Sequence, residues 1–285
     1  MPIIDLPQGR VQYRLAGPAN SAAPPVVFMH GLLVNCELWT GVADELASRG
    51  VRSYALDLPL GSHSVALRPD AELSPRGVAR LIIAFLEALD LTDVTLVGND
   101  TGSALCQFVI DTDGTRIGRL VLTDGDAFDH FPPPSFAPIL NIGRRPVGVY
   151  ALMSLMRPTW IRQRVQGQNV SKPLDPALTR RWITPALTDR GVRRDTAKFL
   201  RGIDASELLE ISTRLRRFPG PVVLLWGDGD PFFPLDLAHR LREAFADARL
   251  VEIPGGRLFF PLDEPQRVAD EIHSAVHPDG RQQRR

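Results

Sequence analysis

The chain has only two cysteines, Cys36 and Cys106, in 285 residues, too few for a disulfide framework. Lysine is almost absent too: Lys172 and Lys198 stand against 31 arginines, an imbalance to which no mechanism attaches. No stretch of 18 apolar residues occurs, so there is no candidate membrane span. The first ten residues lack a charged-then-apolar leader, and the expectation is a cytoplasmic protein with reduced thiols. The 33 basic and 33 acidic residues cancel, and no basic run exceeds the polar tail Arg281 to Arg285, which leaves no electrostatic footprint for nucleic acid. Repeats and low-complexity segments are also missing. What remains is a chain with 44% hydrophobic residues, enough for one large core and an insertion. Its expected partner is a small molecule, with no membrane, nucleic acid, cofactor or metal, and a homodimer is left open.

Apolar runs of strand length recur between helical patterns, the signature of an α/β protein with a mostly parallel sheet. The strands read as Val11 to Ala16, Val26 to Met29, Arg52 to Leu56, Val94 to Val97, Leu120 to Thr123, Val222 to Trp226 and Leu250 to Ile253. The clearest helix starts at Ser74, with Pro75 in its first turn and Val78, Leu81, Ile82, Phe85, Leu86 and Leu89 in i, i+3, i+4 rhythm. Past Phe131 the alternation stops at Pro132-Pro133-Pro134, and helical segments with charged faces follow. The expected organisation is a core of 1–130 with 219–280, a helical lid over 131–218 and a polar tail 281–285.

Gly98-Asn99-Asp100-Thr101-Gly102 follows one of those strands and opens a helix. A G-x-Nu-x-G turn of this kind is sharp and strained, and it holds its central side chain clear of the sheet at a helix N-terminus. Here that side chain is a carboxylate, which can attack carbon directly to form an ester, where a serine needs a base first. Asp100 is the expected catalytic centre.

Four motifs in order carry a resemblance to the α/β-hydrolase superfamily, most similar to its aspartate-nucleophile branch of haloalkane dehalogenases and epoxide hydrolases. They are Phe28-Met29-His30-Gly31-Leu32-Leu33, Asp57-Leu58-Pro59-Leu60-Gly61-Ser62-His63-Ser64, the elbow itself, and Leu224-Leu225-Trp226-Gly227-Asp228-Gly229-Asp230-Pro231. The resemblance covers nearly the whole chain. It implies an α/β-hydrolase fold, an oxyanion or leaving-group hole from the N–H groups near Leu32 and Thr101 beside His30 and Gly31, and Asp230 as the triad acid. Asp126, at the end of an earlier strand, is the alternative acid.

One part of the pattern fails. The loop that should carry the catalytic histidine reads Gly255-Gly256-Arg257-Leu258-Phe259-Phe260, with Leu258 in the histidine's place. Leucine can neither deprotonate nor orient water, so ester hydrolysis loses its usual base. His130 is the displaced-base candidate; His30 reads chiefly as a structural residue of its turn. Arg257 reads as an ion-pair partner for Asp230, or else as a clamp on an anionic substrate group or a cation keeping Asp100 ionised. The expected pocket takes in Leu33, Asn99, Tyr150, Met153 and Trp160 with Arg257 and Leu258. Thr101 replaces the tryptophan that supplies a halide donor in dehalogenases, and Tyr150 is the lone lid tyrosine where epoxide hydrolases use two. Three readings stay open: a hydrolase acting on an epoxide, halide or ester through Asp100; a lyase, isomerase or cyclase using Asp100 as general acid/base; and a silent ligand-binding member of the fold.

Overall fold

The computed structural model describes residues 1–277; the expected tail at 281–285 lies outside the described residues. Eight strands form one sheet: β1 (Ile3–Leu6), β2 (Gly9–Ala16), β3 (Val26–Met29), β4 (Ser53–Leu56), β5 (Val94–Asp100), β6 (Ile117–Gly125), β7 (Val222–Gly227) and β8 (Ala248–Ile253). Their order is β1-β2-β4-β3-β5-β6-β7-β8. β1 and β2 are antiparallel to their neighbours, and every pair from β4 to β8 is parallel. The interior strands β3 and β7, each paired on both sides, are buried along their whole length, as expected of parallel strands covered by helices on both faces.

The seven strands read from the sequence all form, most of them longer than their apolar runs. β1 is the one missed. It is a short edge strand with a single buried residue, Leu6, so it has no apolar run to read. Helices α1 (Thr40–Ser48), α2 (Pro75–Ala88) and α3 (Thr101–Asp113) follow in chain order on the sheet. In α2 the Ser74 hydroxyl caps the first turn by accepting from the Gly77 N–H at 3.2 Å, and Pro75 supplies the first helical φ. Its apolar stripe buries Val78, Leu81, Ile82, Phe85 and Leu86, the rhythm visible in the sequence.

Between β6 and β7 the chain runs through six helices and no strand: α4 (Ala137–Gly143), α5 (Pro146–Leu155), α6 (Thr159–Gln166), α7 (Pro176–Thr188), α8 (Arg190–Arg201) and α9 (Ala205–Ser212). Val149, Met153, Ile183, Ala186, Val192 and Ala197 give this insertion a small apolar cluster of its own. A buried polar joint ties it to the core. Asp195 of α8 accepts from the Leu67 N–H at 2.7 Å and stands 3.5 Å from the His63 Nε2, with both side chains out of contact with solvent. The chain closes with α10 (Leu235–Ala244), α11 (Phe260–Asp263) and α12 (Pro265–Val276).

Candidate active site

Asp100 ends β5 at the C-terminal edge of the sheet, where open α/β sheets bind ligands. Its backbone is held at φ 56°, ψ −128°, outside the regions a non-glycine residue favours. The turn is possible because its flanks lack side chains. A Cβ on Gly98 would lie 2.5 Å from the Gly102 carbonyl oxygen, so the strand and helix of the elbow approach as closely as bare backbone allows.

The Asp100 carboxylate sits in the amide hole itself. Oδ2 accepts from the Leu32 N–H at 2.9 Å, with the Thr101 backbone N–H as a second donor. Gly31 makes room for it: a Cβ there would come within 2.1 Å of Oδ2. Burial raises the Asp100 carboxyl to about 7; the amide donors oppose that shift and the charge of Asp230 adds to it.

Asp126 is the second carboxyl of the same floor. Its Oδ2 accepts from the Thr101 hydroxyl at 3.1 Å, and its N–H donates to the Asp100 carbonyl at 3.3 Å. Its Oδ1 is buried and without a hydrogen-bond partner. Burial first, and then the Asp100 charge, push its proton affinity well above the usual carboxylate range. Two buried carboxyls that each raise the other's proton affinity resist ionising together and titrate as a pair.

Over this floor lies a cavity of about 380 Å³. Leu32, Leu33, Thr101, Phe131, Phe136, Met153, Ile183, Phe232, Leu258 and Phe259 are among its walls. No arginine, lysine or histidine lines it, and its titratable groups are Asp100 and Asp126. Leu258, 4% exposed, presents an apolar wall where a base was sought; its carbonyl accepts from the Asn99 Nδ2 at 2.7 Å, which ties that loop to the elbow.

The structure separates the remaining candidates. Asn99 is buried under the cavity and bonds to the Thr123 hydroxyl and the Leu258 carbonyl; it braces the site from below. His30 donates from Nδ1 to the Gly31 carbonyl at 2.8 Å and accepts at Nε2 from the Leu58 N–H at 2.9 Å, so neither nitrogen is free for proton transfer. Burial lowers its pKa to about 4, keeping the ring neutral. His130 does not line the cavity: it closes a tight turn through its N–H to the Ala127 carbonyl. Tyr150 and Trp160 also lie away from the cavity, the former between the guanidinium groups of Arg157 and Arg193, the latter 71% exposed. Arg257 forms no ion pair with Asp230 and no part of the lining; it donates to the Gln168 carbonyl at 3.4 Å, and its charge acts on Asp230 only from a distance.

Asp230 does not reach the cavity either. Its Oδ1 accepts from the Phe232 and Phe233 N–H groups at 2.7 and 3.3 Å. Its other oxygen meets a residue to which the sequence reading gave no role, Asp124, whose Oδ1 accepts from the Gly227 N–H at 2.7 Å. With both ionised, each Oδ2 would be buried without a donor. Burial and the Asp230 charge raise the Asp124 carboxyl well above the carboxylate range, the direction that favours a proton between the two acids. The signal for this pair was a second acid two residues before Asp126, at the same strand end. Among the described residues no group of three or more His, Cys, Asp or Glu is arranged to hold a metal ion.

Comparison with known proteins agrees with the fold. A hydrolase of 2-hydroxy-6-oxononadienedioate and 2-hydroxy-6-oxononatrienedioate from Paraburkholderia xenovorans is 26% identical over 238 residues, 81% of this chain and 79% of that one. Among solved structures, a putative ancestral haloalkane dehalogenase matches with a TM-score of 0.78 at 20% identity, over 97% of this chain and 98% of that one. The enol-lactonase of Burkholderia xenovorans matches with a TM-score of 0.74 at 17% identity, over 96% and 99%. These structural matches are likenesses of fold. The sequence profile described as alpha/beta hydrolase fold matches residues 24–265, and with its strand order, elbow and amide hole the chain belongs to that family.

Proposed function

We propose that this α/β-hydrolase-fold protein is a hydrolase for a small or medium-sized, uncharged, apolar molecule, with Asp100 as nucleophile and Asp126 doing the proton transfers for which relatives of the fold employ histidine. One observation carries the reading: the Asp100 carboxylate is held by one oxygen in the amide hole, under an apolar cavity whose other titratable group is the buried Asp126 with an unpartnered oxygen. With Oδ2 held, Oδ1 is the oxygen that attacks. In the first step Asp100 forms a C–O bond to substrate carbon while the C–O bond to the leaving oxygen breaks, and Asp126 gives its proton to that oxygen. In the second step water attacks the Asp100 carbonyl carbon and gives one proton to Asp126, the amide hole holds the oxyanion on Oδ2, and the ester C–O bond breaks as the departing alkoxide takes the proton of the hydroxyl that water left on that carbon, which releases the alcohol and restores the Asp100 carboxylate beside protonated Asp126. One carboxyl acting first as acid and then as base is established chemistry for paired carboxylates.

The same geometry narrows the substrate. A dianion such as the one in the Paraburkholderia relative's name would meet two carboxyls and no cation in this cavity. A halide leaving group needs donors at the leaving atom, and no tryptophan lines the cavity, whereas a leaving oxygen matches the proton on Asp126. An epoxide or an apolar ester or lactone is therefore the preferred class.

The test is intact-protein mass spectrometry and turnover with epoxides, alkyl halides and activated esters, in ordinary and heavy-oxygen water. Solvent oxygen in the Asp100 carboxylate is the expected result. Asp100→Asn lowers turnover by at least about 10³-fold. Asp126→Asn lowers it by roughly 10²–10⁴-fold and leaves an ester adduct on Asp100. The rate rises with pH as Asp100 ionises, near 7, and falls again when Asp126 loses its proton. Product without label in Asp100 would move the assignment to acid/base chemistry by the carboxyl pair, a reading that the apolar wall at Leu258 also suits.

A further inference from the structure

The charges that cancel over the whole chain are not evenly spread. Residues 131–218 carry sixteen basic and six acidic side chains, and the rest of the chain seventeen and twenty-seven. The first part of the insertion is the extreme case: 131–174 has six basic residues and no aspartate or glutamate. Three of the six are engaged internally, Arg162 with the Met156 and Arg157 carbonyls, Lys172 with Glu264, and Arg157 with the Tyr150 hydroxyl and ring. Arg144, Arg145, Arg157 and Arg164 are exposed, and no carboxylate pairs with them among the described residues.

These cations lie in and between helices α4 to α6, which also carry uncovered apolar side chains. Ile139, Leu155 and Val165 line the cavity over Asp100 and are also 45%, 66% and 43% exposed, so they form its mouth. Val147 and Trp160 on the same helices are each 71% exposed. An apolar mouth built on a helical stretch that also carries an exposed tryptophan and unpaired arginines has the composition of a surface that lies in a headgroup layer.

We infer that the mouth of the cavity docks on an anionic lipid bilayer, with Trp160 and the rim aliphatics in the headgroup–acyl boundary and Arg144, Arg145 and Arg164 on lipid phosphates. Charge complementarity selects this occupant. A second copy pairing mouth to mouth would set the same unpaired arginines against each other, and a mouth-to-core contact would be head-to-tail and would not close a dimer. A soluble anionic substrate would need a cation inside the cavity, and none lines it. The expectation of no membrane partner came from the lack of a spanning segment, and no helix among the described residues is long and apolar enough to cross a membrane; adsorption requires neither. That substrate enters Asp100's cavity from the lipid rests on the proposed function; the docking itself does not.

The experiment uses the full chain with vesicles of phosphatidylcholine, with and without phosphatidylglycerol, and a salt series. Trp39, Trp182 and Trp226 are fully buried, so a change in tryptophan exposure reports on Trp160. The expected result is cosedimentation with the anionic vesicles, weakened by salt, with a blue shift and quenching by brominated acyl chains that Trp160→Phe removes. The triple variant R144E/R145E/R164E, none of whose residues lines the cavity, should lower partition about tenfold or more with turnover of a water-soluble substrate unchanged. No partition onto anionic vesicles at low salt would overturn the proposal. So would partition with unmoved Trp160 emission, or a lipid-free dimer in which Trp160 is already shielded from quencher.

Discussion

The sheet-borne part of the molecule and the six-helix insertion between β6 and β7 meet over one cavity and bring opposite chemistry to it. The sheet contributes both carboxyls, Asp100 and Asp126, each fixed by backbone or hydroxyl donors at a strand end. The insertion contributes apolar walls such as Met153 and Ile183 and, on its outer side, unpaired arginines. Strand ends in a buried sheet are the stiffest places in the chain, so they suit groups that must hold a position to a fraction of an ångström. Short helices around a small core suit the selection and admission of substrate. The division means that the two halves can be damaged separately.

On the sheet side, short of replacing Asp100 or Asp126 themselves, the largest effect is expected from Gly31→Ala. The added Cβ overlaps the Asp100 Oδ2, so the carboxylate must leave the amide hole. Turnover should fall by at least about 10²-fold, the size of losing a hole donor, with the cavity-lining insertion residues untouched. Unchanged rates with Asp100 still labelled by solvent oxygen would show that the hole is not used.

Next in size is the joint between the halves. Asp195→Ala removes a buried acceptor from the Leu67 N–H and leaves His63 and Arg194 without their partner. Breaking such a buried pair costs about 3–5 kcal/mol. Proteolysis should then release the insertion before the sheet unfolds; a single cooperative transition of unchanged midpoint would contradict the separation.

Stability against pH gives a third comparison. Asp100 is raised from the ordinary carboxylate range to about 7, so its contribution is complete below that range and is lost as pH rises toward 7, on the order of 4 kcal/mol. Asp124 and Asp126 are displaced in the same direction. Chemical denaturation at pH 5 and pH 8 should show the protein more stable in acid, with Asp100→Asn flattening the difference. The smallest effect belongs to Arg257→Ala, expected to change turnover less than about twofold because its side chain holds only the Gln168 carbonyl at the surface.

How much of this was legible depended on whether the determining contact is local. The elbow could be read because Gly98 and Gly102 are needed by the turn itself. α2 could be read because its cap, its proline and its stripe lie within one segment. The insertion was visible only as a loss of alternation, and its pocket residues were read poorly. Met153 and Trp160 carry equally apolar side chains, yet one faces the cavity and the other faces water, a distinction set by how α5 and α6 pack. Arg257 and His130 stand near functional positions in sequence and outside the cavity in space. The Asp124–Asp230 pair joins the ends of two strands about a hundred residues apart, a proximity that no periodicity records.

Asn99 has one more consequence. Its amide holds the Leu258 backbone by the carbonyl, so the loop keeps its path whatever side chain position 258 carries. In Leu258→His the imidazole would emerge beside two strand-end acids from a main chain already in place.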